Sequence, residues 1–190
     1  MNIRQLLSAP NQLTLLRMVF LPFLVNSLLE HEYGWALGLF VVAGLTDTLD
    51  GLLARTLRQQ TRIGEYLDPI ADKLLLSTMF MVLAIFHLIP WKYTVLVFSR
   101  DIGILIVSGV LYVAAGLRNF RPSIFGKANT GAQVAAVFFV LLFQVKQQAW
   151  IAMAKGIFLF LTAIFTIMSG IHYVFLVGHR LRTHDQAASA

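Results

Sequence analysis

The chain has 190 residues, of which 58% are hydrophobic and only 13% are charged, about half the charged share of an average soluble domain. Together with a mean hydropathy of +0.75, this balance predicts an integral membrane protein, with one domain over residues 1–190. The chain contains no cysteine, which excludes disulfides, iron–sulfur clusters, thiolate zinc sites and cysteine nucleophiles.

Apolar segments long enough to cross a bilayer follow one another along the chain. Ahead of them, Met1–Ser8 places Ile3, Leu6 and Leu7 on one helical face, which favours a short interfacial helix over a frayed terminus. The first apolar segment is not expected to be a signal peptide, since Arg17 interrupts it. The six predicted spans are about Leu13–Leu29, Trp35–Arg55, Pro69–Ile89, Tyr93–Ala115, Thr130–Lys146 and Trp150–Val177.

Local signals indicate where two of these spans begin. Asn11 is expected to cap the first span. Asp68 followed by Pro69 is typical of an N-cap and a first helical residue, which would fix the start of the third span. Gly64 is expected to permit a turn in the loop before it.

Lysine and arginine are concentrated in the loops on one side of the predicted spans, which identifies that side as the cytoplasm. Trp35, Trp91 and Trp150 fall on the other side, as interfacial anchors do. We therefore expect an integral protein of a bacterial inner (cytoplasmic) membrane with both termini in the cytoplasm. No nucleic-acid partner is expected, because no basic segment carries interleaved aromatic residues. The residues that carry the charge bias are Arg4, Arg55, Arg58, Arg62, Arg118, Arg121, Lys127, Arg180 and Arg182.

Four of the nine acidic residues flank a single predicted cytoplasmic loop. Asp47 and Asp50 are three residues apart, and Asp68 and Asp72 are four apart, so each pair is expected on one helical face. Carboxylates in this position would repel one another unless something compensated them. An all-oxygen site suits Mg²⁺, Mn²⁺ or Ca²⁺ rather than zinc. Four carboxylates balance two divalent cations, an arrangement typical of displacement at phosphorus.

The residues around these aspartates suit a phosphate ester. Gly51 leaves the backbone open to close approach by a ligand, and Ala54 keeps the next turn small. Arg55 offers a planar pair of donors for phosphate oxygens, and Lys73 adds a positive charge. The alternative interpretation is structural, with the aspartates in buried salt bridges to Arg55, Arg62 and Lys73, although such pairs add little net stability.

Residues 47–72 read Asp-x-x-Asp-Gly-x-x-Ala-Arg, then eight residues, then Gly-x-x-x-Asp-x-x-x-Asp. This pattern resembles the signature of the CDP-alcohol phosphotransferases at every fixed position. The six predicted spans and their orientation are also similar to that family, so the resemblance covers nearly the whole chain. It implies an all-α membrane protein with six transmembrane helices around a cytoplasm-facing polar cavity, and it implies a homodimer.

The resemblance also implies the roles of the motif residues. Two divalent cations, Mg²⁺ or Mn²⁺, would neutralise the pyrophosphate of CDP-diacylglycerol. The acceptor hydroxyl would lose its proton to Asp72 and attack the lipid-side phosphorus, and CMP would leave. We expect direct transfer, since no serine or threonine lies beside a histidine within the motif. The implied metal ligands are Asp47, Asp50, Asp68 and Asp72, and the expected CDP-lipid site comprises Asp50, Gly51, Ala54, Arg55, Gly64 and Lys73.

Three further segments, one of which overlaps the motif, bear on the acceptor. Pro10–Arg17, Leu67–Lys73 and Pro122–Thr130 resemble segments of both phosphatidylglycerophosphate synthases and CMP-forming cardiolipin synthases. Ser99-Arg100-Asp101 is closer to the cardiolipin synthase pattern. The position of Arg17 has two interpretations. Its side chain either faces the polar cavity, or it pairs with a carboxylate or reaches the membrane interface.

A basic cluster of Arg118, Arg121 and Lys127 is predicted beside the aspartates, with Arg100 in the fourth span. Lys127, near the start of the fifth span, suits an anionic phosphate at a helix N-terminus. The alternative is ordinary positive-inside charge. Glycerol 3-phosphate and phosphatidylglycerol both carry a phosphate, so either acceptor fits, inositol phosphate stays open, and cationic choline fits poorly.

Arg100 and Asp101 form the acid–base pair inside the fourth span. Adjacent helical residues point about 100° apart, so we expect that these two cannot simply neutralise each other and that at least one faces the cavity. The alternative is a salt bridge between helices.

The leading hypothesis is therefore a phosphatidylglycerophosphate synthase that acts on glycerol 3-phosphate. A CMP-forming cardiolipin synthase acting on phosphatidylglycerol is the alternative. A divalent-cation transporter is a remote one, because transport would require carboxylates near the bilayer midplane and an exit on the far side. A purely structural scaffold is disfavoured by the paired intramembrane acids.

Overall fold

The computed structural model describes the backbone of residues 9–57, 62–115 and 124–188, and the side chains of residues 18–46, 73–104, 106 and 126–173. These residues form helices, with no strand among them, so the predicted all-α class is confirmed. The predicted interfacial helix Met1–Ser8 lies outside the described residues. The helices within the described ranges are α1 Ala9–Leu29, α2 Tyr33–Leu57, α3 Arg62–Ile85, α4 Trp91–Ala115, α5 Ile124–Val145 and α6 Ala149–Ala188.

Each predicted span lies largely within one of these helices, but all six helices begin before the predicted span, and α1, α3 and α5 do so by four or more residues. Helix α1 begins at Ala9, so Asn11 is its third residue and the predicted N-cap there is wrong. Helix α3 begins at Arg62, so Gly64 and the Asp68-Pro69 pair lie inside it, and neither a turn nor a helix start occurs there. The cause is that helix formation follows local propensity into polar flanks, whereas a hydropathy pattern ends with the apolar residues. Proline inside a helix removes one backbone hydrogen bond without always ending the helix.

Helices α1 and α3 end in the same hydrogen-bonded motif, with a histidine in the left-handed conformation. His31 has φ 59° and His87 has φ 57°. The His31 N–H donates to the Leu28 carbonyl (3.1 Å), and the Glu32 N–H donates to the Ser27 carbonyl (2.8 Å). At the end of α3, the corresponding bonds run from residue 87 to 84 (3.0 Å) and from 88 to 83 (2.9 Å). This is the Schellman arrangement, which satisfies the last free carbonyls of a helix.

One hydrophobic core joins the helices near these turns. It contains the C-terminal parts of α1, α3 and α5 and the N-terminal parts of α2, α4 and α6, so successive helices alternate in direction. Its largest fully buried side chains lie mainly on α1, α3 and α5. They include Leu24, Leu28, Met79, Phe80, Leu83, Val137, Val140 and Leu141.

The outer surface of the helices is strongly apolar. Trp35, Met153 and Phe160 are 70%, 69% and 61% exposed, and an exposed apolar surface of this kind marks contact with lipid or protein. Among the described residues, two helical segments are long and apolar enough to cross a membrane, Gly126–Val145 and Ala149–Tyr173. The apolar parts described for α1, α2 and α3 are shorter.

Candidate functional site

The four aspartates of the motif lie on two consecutive helices, at the edge of the hydrophobic core and beyond it. On α2, Asp47 lies four residues after the core residue Ala43, roughly 6 Å along the axis at the α-helical rise. Helix α3 runs in the opposite sense, and Asp68 and Asp72 lie in its first three turns. The spacings of three and four residues are therefore helical spacings on both elements, as predicted.

Most of the predicted site lies where the backbone alone is described, or outside the described residues. The motif residues 47–72 are on α2 and α3 or in the connection between these helices, and their side chains are outside the described set. Arg118 and Arg121 lie outside the described residues. Lys127 is the fourth residue of α5 and is exposed, as expected for a cation in the first turn of that helix. The assignment of the motif residues and of these basic residues to the CDP-lipid, the metal ions or the acceptor stays a prediction.

Lys73, directly after Asp72, makes an ion pair with the next helix. Its Nζ lies 3.1 Å from Oδ1 of Asp101 on α4. The Arg100 guanidinium approaches the same oxygen, with Nη1 at 2.7 Å. Arg100 and Asp101 are 13% and 14% exposed, whereas Lys73 is 39% exposed. One carboxylate oxygen therefore accepts from two cations and links α3 to α4.

The expectation that Arg100 and Asp101 cannot neutralise each other is wrong. Although adjacent helical residues diverge by about 100°, the long arginine side chain bends back to the neighbouring carboxylate. The salt bridge between helices, held open as the alternative, is present as the contact from Lys73 to Asp101.

The other side of the Arg100 guanidinium contacts α6. Its Nη2 donates to the Ser169 hydroxyl at 2.7 Å and its Nε donates to the same oxygen at 3.3 Å. Ser169 is buried. Nε, Nη1 and Nη2 of Arg100 thus each have an acceptor within the protein.

A second buried polar contact joins α5 to α6. The Thr166 hydroxyl donates to Oδ1 of Asn129 at 2.9 Å. Nδ2 of Asn129 and Nε2 of Gln133 have no partner, although both residues are buried. Asn129 and Gln133 are one helical turn apart on α5, and Thr166 and Ser169 are three residues apart on α6. Together with Lys73, Arg100 and Asp101, these four residues form a set that we call the polar layer. Its seven members are Lys73, Arg100, Asp101, Asn129, Gln133, Thr166 and Ser169.

Asn129, Gln133, Thr166 and Ser169 did not emerge from the sequence as site residues. A signal was present, because each lies in a predicted span or at its edge, with helical spacings of four and three. Polar residues at such spacing within apolar segments indicate a face turned towards other helices. The sequence did not indicate which helices these faces contact.

The donor chemistry of the motif is compatible with divalent cations. Within the described side chains, no group of three or more histidine or acidic residues could hold a metal ion. The polar layer has one carboxylate, and it is already paired with two cations. The other carboxylates on α2 and α3 are those of Glu65 and of the four motif aspartates. The motif aspartates supply the oxygen ligands that Mg²⁺ and Mn²⁺ prefer.

Comparison with known proteins gives a match over most of the chain. A family model described as CDP-alcohol phosphatidyltransferase matches residues 7–168. A CDP-diacylglycerol--glycerol-3-phosphate 3-phosphatidyltransferase of Bacillus subtilis is 32% identical over 180 residues, which cover 86% of this chain and 92% of the relative. A protein of Mycobacterium tuberculosis named "Probable phosphatidylglycerophosphate synthase" is 35% identical over 176 residues, 86% of this chain and 78% of the relative.

A third relative has a different name and a greater length. The CMP-forming cardiolipin synthase of Homo sapiens is 33% identical over 146 residues, which cover 67% of this chain and 48% of the relative. The chain thus matches about half the length of this human protein, and the same holds for the enzyme of Rattus norvegicus.

Proposed function

Because the chain belongs to the CDP-alcohol phosphatidyltransferase family, we propose that it transfers the phosphatidyl group of CDP-diacylglycerol to a hydroxyl of glycerol 3-phosphate and releases CMP. The observation that carries this proposal is the eight-position motif at residues 47–72, on two consecutive helices within the family match. Two relatives aligned over 86% of this chain have names that state this reaction or its product. Membership of this family also argues against the divalent-cation transporter.

Asp47, Asp50, Asp68 and Asp72 would hold two divalent cations, Mg²⁺ or Mn²⁺. Their carboxylates match the preference of these ions for oxygen ligands, and their helical spacing on α2 and α3 supports a shared site. When bound, such cations neutralise phosphate charge and the charge that develops on the leaving group.

Asp72 would also act as the general base. It accepts the proton of the acceptor hydroxyl, whose oxygen forms a bond to the lipid-side phosphorus while the bond from that phosphorus to the CMP oxygen breaks. We assign the CDP part of the donor to Asp50, Gly51, Ala54, Arg55, Gly64 and Lys73. The contact of Lys73 with Asp101 restrains its ammonium, so any contact with the donor starts from that position.

The acceptor phosphate would bind at the first turn of α5. Lys127 is exposed there, and helix N-termini favour anions. We assign Arg118 and Arg121 to the same subsite from their sequence positions. Arg100 also belongs to the predicted acceptor set, but its three nitrogens already have acceptors within the protein, so we do not assign it to the acceptor phosphate.

We further propose that residues 1–190 form one membrane domain with six spanning helices around a polar cavity that faces the cytoplasm. Both termini and the active site would lie in the cytoplasm of a bacterium, and the protein would act in the inner membrane as a homodimer. The exposed apolar side chains and the alternating helices support this arrangement, as do bacterial relatives aligned over most of the chain.

A CMP-forming cardiolipin synthase, with phosphatidylglycerol as acceptor, is the second candidate. It is favoured by the human relative and by the Ser99-Arg100-Asp101 sequence. The alignment with the Bacillus subtilis enzyme covers nearly the whole of both chains, which is why glycerol 3-phosphate leads.

The acceptor can be identified by following CMP release from purified protein, CDP-diacylglycerol and Mn²⁺. Release with glycerol 3-phosphate, and none with phosphatidylglycerol, is the expected result. Release only with phosphatidylglycerol would move the assignment to cardiolipin synthesis. A Lys127→Gln variant should raise the KM for glycerol 3-phosphate, whereas Lys146→Gln, directly after the opposite end of α5, should not.

A further inference from the structure

A chain of contacts leads from α6 through α4 to the residue after Asp72. Ser169 accepts from Arg100 at 2.7 Å, Arg100 donates to Asp101 at 2.7 Å, and Asp101 accepts from Lys73 at 3.1 Å. These contacts involve three helices, and three of the four side chains are at least four-fifths buried.

Each charged side chain in this series of contacts has an ion-pair partner within the protein. Oδ1 of Asp101 is shared by two cations, so neutralising the carboxylate leaves both without their common partner. Arg100 keeps its two donors to Ser169 in that case. Lys73 would keep no ion pair, since Asp101 is its one ion-pair partner among the described residues. Loss of the Asp101 charge therefore acts mainly on Lys73, beside the motif.

We propose that Asp101 is a positioning residue of the transfer reaction. It holds the Lys73 ammonium on the α4 side of α3 and so keeps this cation from pairing with the carboxylates of the motif. Arg100 and Ser169 fix Asp101 in turn. This inference rests on the proposed function of the motif aspartates as metal ligands.

The first test measures Mn²⁺ binding to purified protein by electron paramagnetic resonance, without lipid substrate. Groups that support metal ligands from outside the ligand set typically change affinity by about 10–100-fold, and Asp101→Asn should weaken Mn²⁺ binding by about tenfold. Lys73→Met alone should have little effect, because it removes the cation that Asp101 restrains. The double variant should recover most of the affinity, since the released ammonium is then absent.

This rescue separates positioning from stability. Unchanged Mn²⁺ affinity in Asp101→Asn would overturn the proposal. A double variant as weak as Asp101→Asn would overturn it too, because the contacts would then act through folding alone. If the wild type binds no Mn²⁺, or Asp72→Asn binds as the wild type does, the proposed metal site itself is wrong.

A second test concerns Arg100. Ser169→Ala removes the acceptor of two guanidinium nitrogens and should weaken Mn²⁺ binding in the same direction as Asp101→Asn. Thr162→Val is the matched control, because this buried hydroxyl on α6 donates only to the Phe158 carbonyl of its own helix, and Mn²⁺ binding should not change. Arg100→Gln should leave the KM for glycerol 3-phosphate unchanged. A KM raised by about tenfold or more, together with normal Mn²⁺ binding, would identify Arg100 as a ligand of the acceptor. That result would overturn the role of Arg100 in fixing Asp101.

Discussion

The two histidines in left-handed backbone conformation have different surroundings. The His31 ring accepts or donates a hydrogen bond with the Tyr33 hydroxyl (2.9 Å) and makes an edge contact with the Phe86 ring. The exposed His87 ring has no hydrogen bond or ring contact within the described part of the chain. Glycine adopts this conformation without steric strain, so the same substitution should have opposite consequences at the two positions.

We predict that His87→Gly raises the free energy of unfolding by about 0.5–1 kcal/mol, because left-handed backbone costs an L-residue about 1–2 kcal/mol and the flexibility of glycine in the unfolded chain offsets part of that gain. His31→Gly should give no gain, since it also loses the contacts of the ring. The measurement is unfolding in one detergent. Destabilisation by His87→Gly would contradict this account.

A second prediction at the scale of single residues concerns Nε2 of Gln133, which is buried without a hydrogen-bond partner. An unsatisfied buried donor costs about 1–3 kcal/mol, and replacing it by an apolar group of similar shape removes that cost. We expect Gln133→Met to raise the midpoint of unfolding, whereas Asn129→Leu should not, because it also breaks the bond from Thr166. A lower midpoint for Gln133→Met would mean that the amide has a partner, such as an ordered water.

At the scale of the helices, hydropathy predicted the number and order of the elements within the described residues, but not where they begin. Polar or proline-containing flanks at Pro10-Asn11, Gly64 and Gly126-Lys127 continue the helices. A hydropathy pattern reports which residues are apolar enough to lie within the bilayer and not which residues continue the backbone hydrogen bonding of a helix, so it cannot locate these ends. The two histidine turns were not predicted either, because histidine is not the usual residue at that position.

Contacts between helices can be tested at Thr94. Its buried hydroxyl donates across from α4 to the Phe80 carbonyl of α3 at 3.0 Å. Thr94→Val keeps the shape and should lower the free energy of unfolding by about 1 kcal/mol. Thr162→Val should cost less, because the Thr162 hydroxyl bonds only within its own helix. Equal losses in unfolding experiments would argue that the bond from Thr94 does not hold α3 to α4.

Across the whole molecule, the apolar core lies at one end of the helices and the motif positions lie towards the other, with the polar layer between them. The motif residues were recognisable because their types and spacing are fixed by the chemistry of a phosphate ester. The polar layer was not, because contacts such as Arg100 to Ser169 depend on which helices pack together. The side chain of Arg100 illustrates this limit, since its sequence position alone is equally compatible with substrate binding.

The proposed orientation predicts opposite exposure of two introduced cysteines. The chain contains no cysteine, so single variants can be labelled without removing others. In intact cells, a membrane-impermeant maleimide should label Glu32→Cys, in the turn between α1 and α2, and not Asp185→Cys, near the end of α6. Inside-out vesicles should give the reverse. Labelling of both positions from one side would contradict six spans with a cytoplasmic C-terminus.

The most direct test of the central claim compares CMP release by the wild type and by Asp72→Asn, with CDP-diacylglycerol and glycerol 3-phosphate. The account predicts that wild-type release requires Mg²⁺ or Mn²⁺ and ceases with a chelator. It also predicts that Asp72→Asn lowers the rate by at least about 100-fold, since general-base catalysis contributes about 10²–10⁴. Glu32→Gln, an acidic residue outside the motif, serves as the control and should retain the wild-type rate. Release that persists without divalent cations, or that is undiminished in Asp72→Asn, would contradict the account.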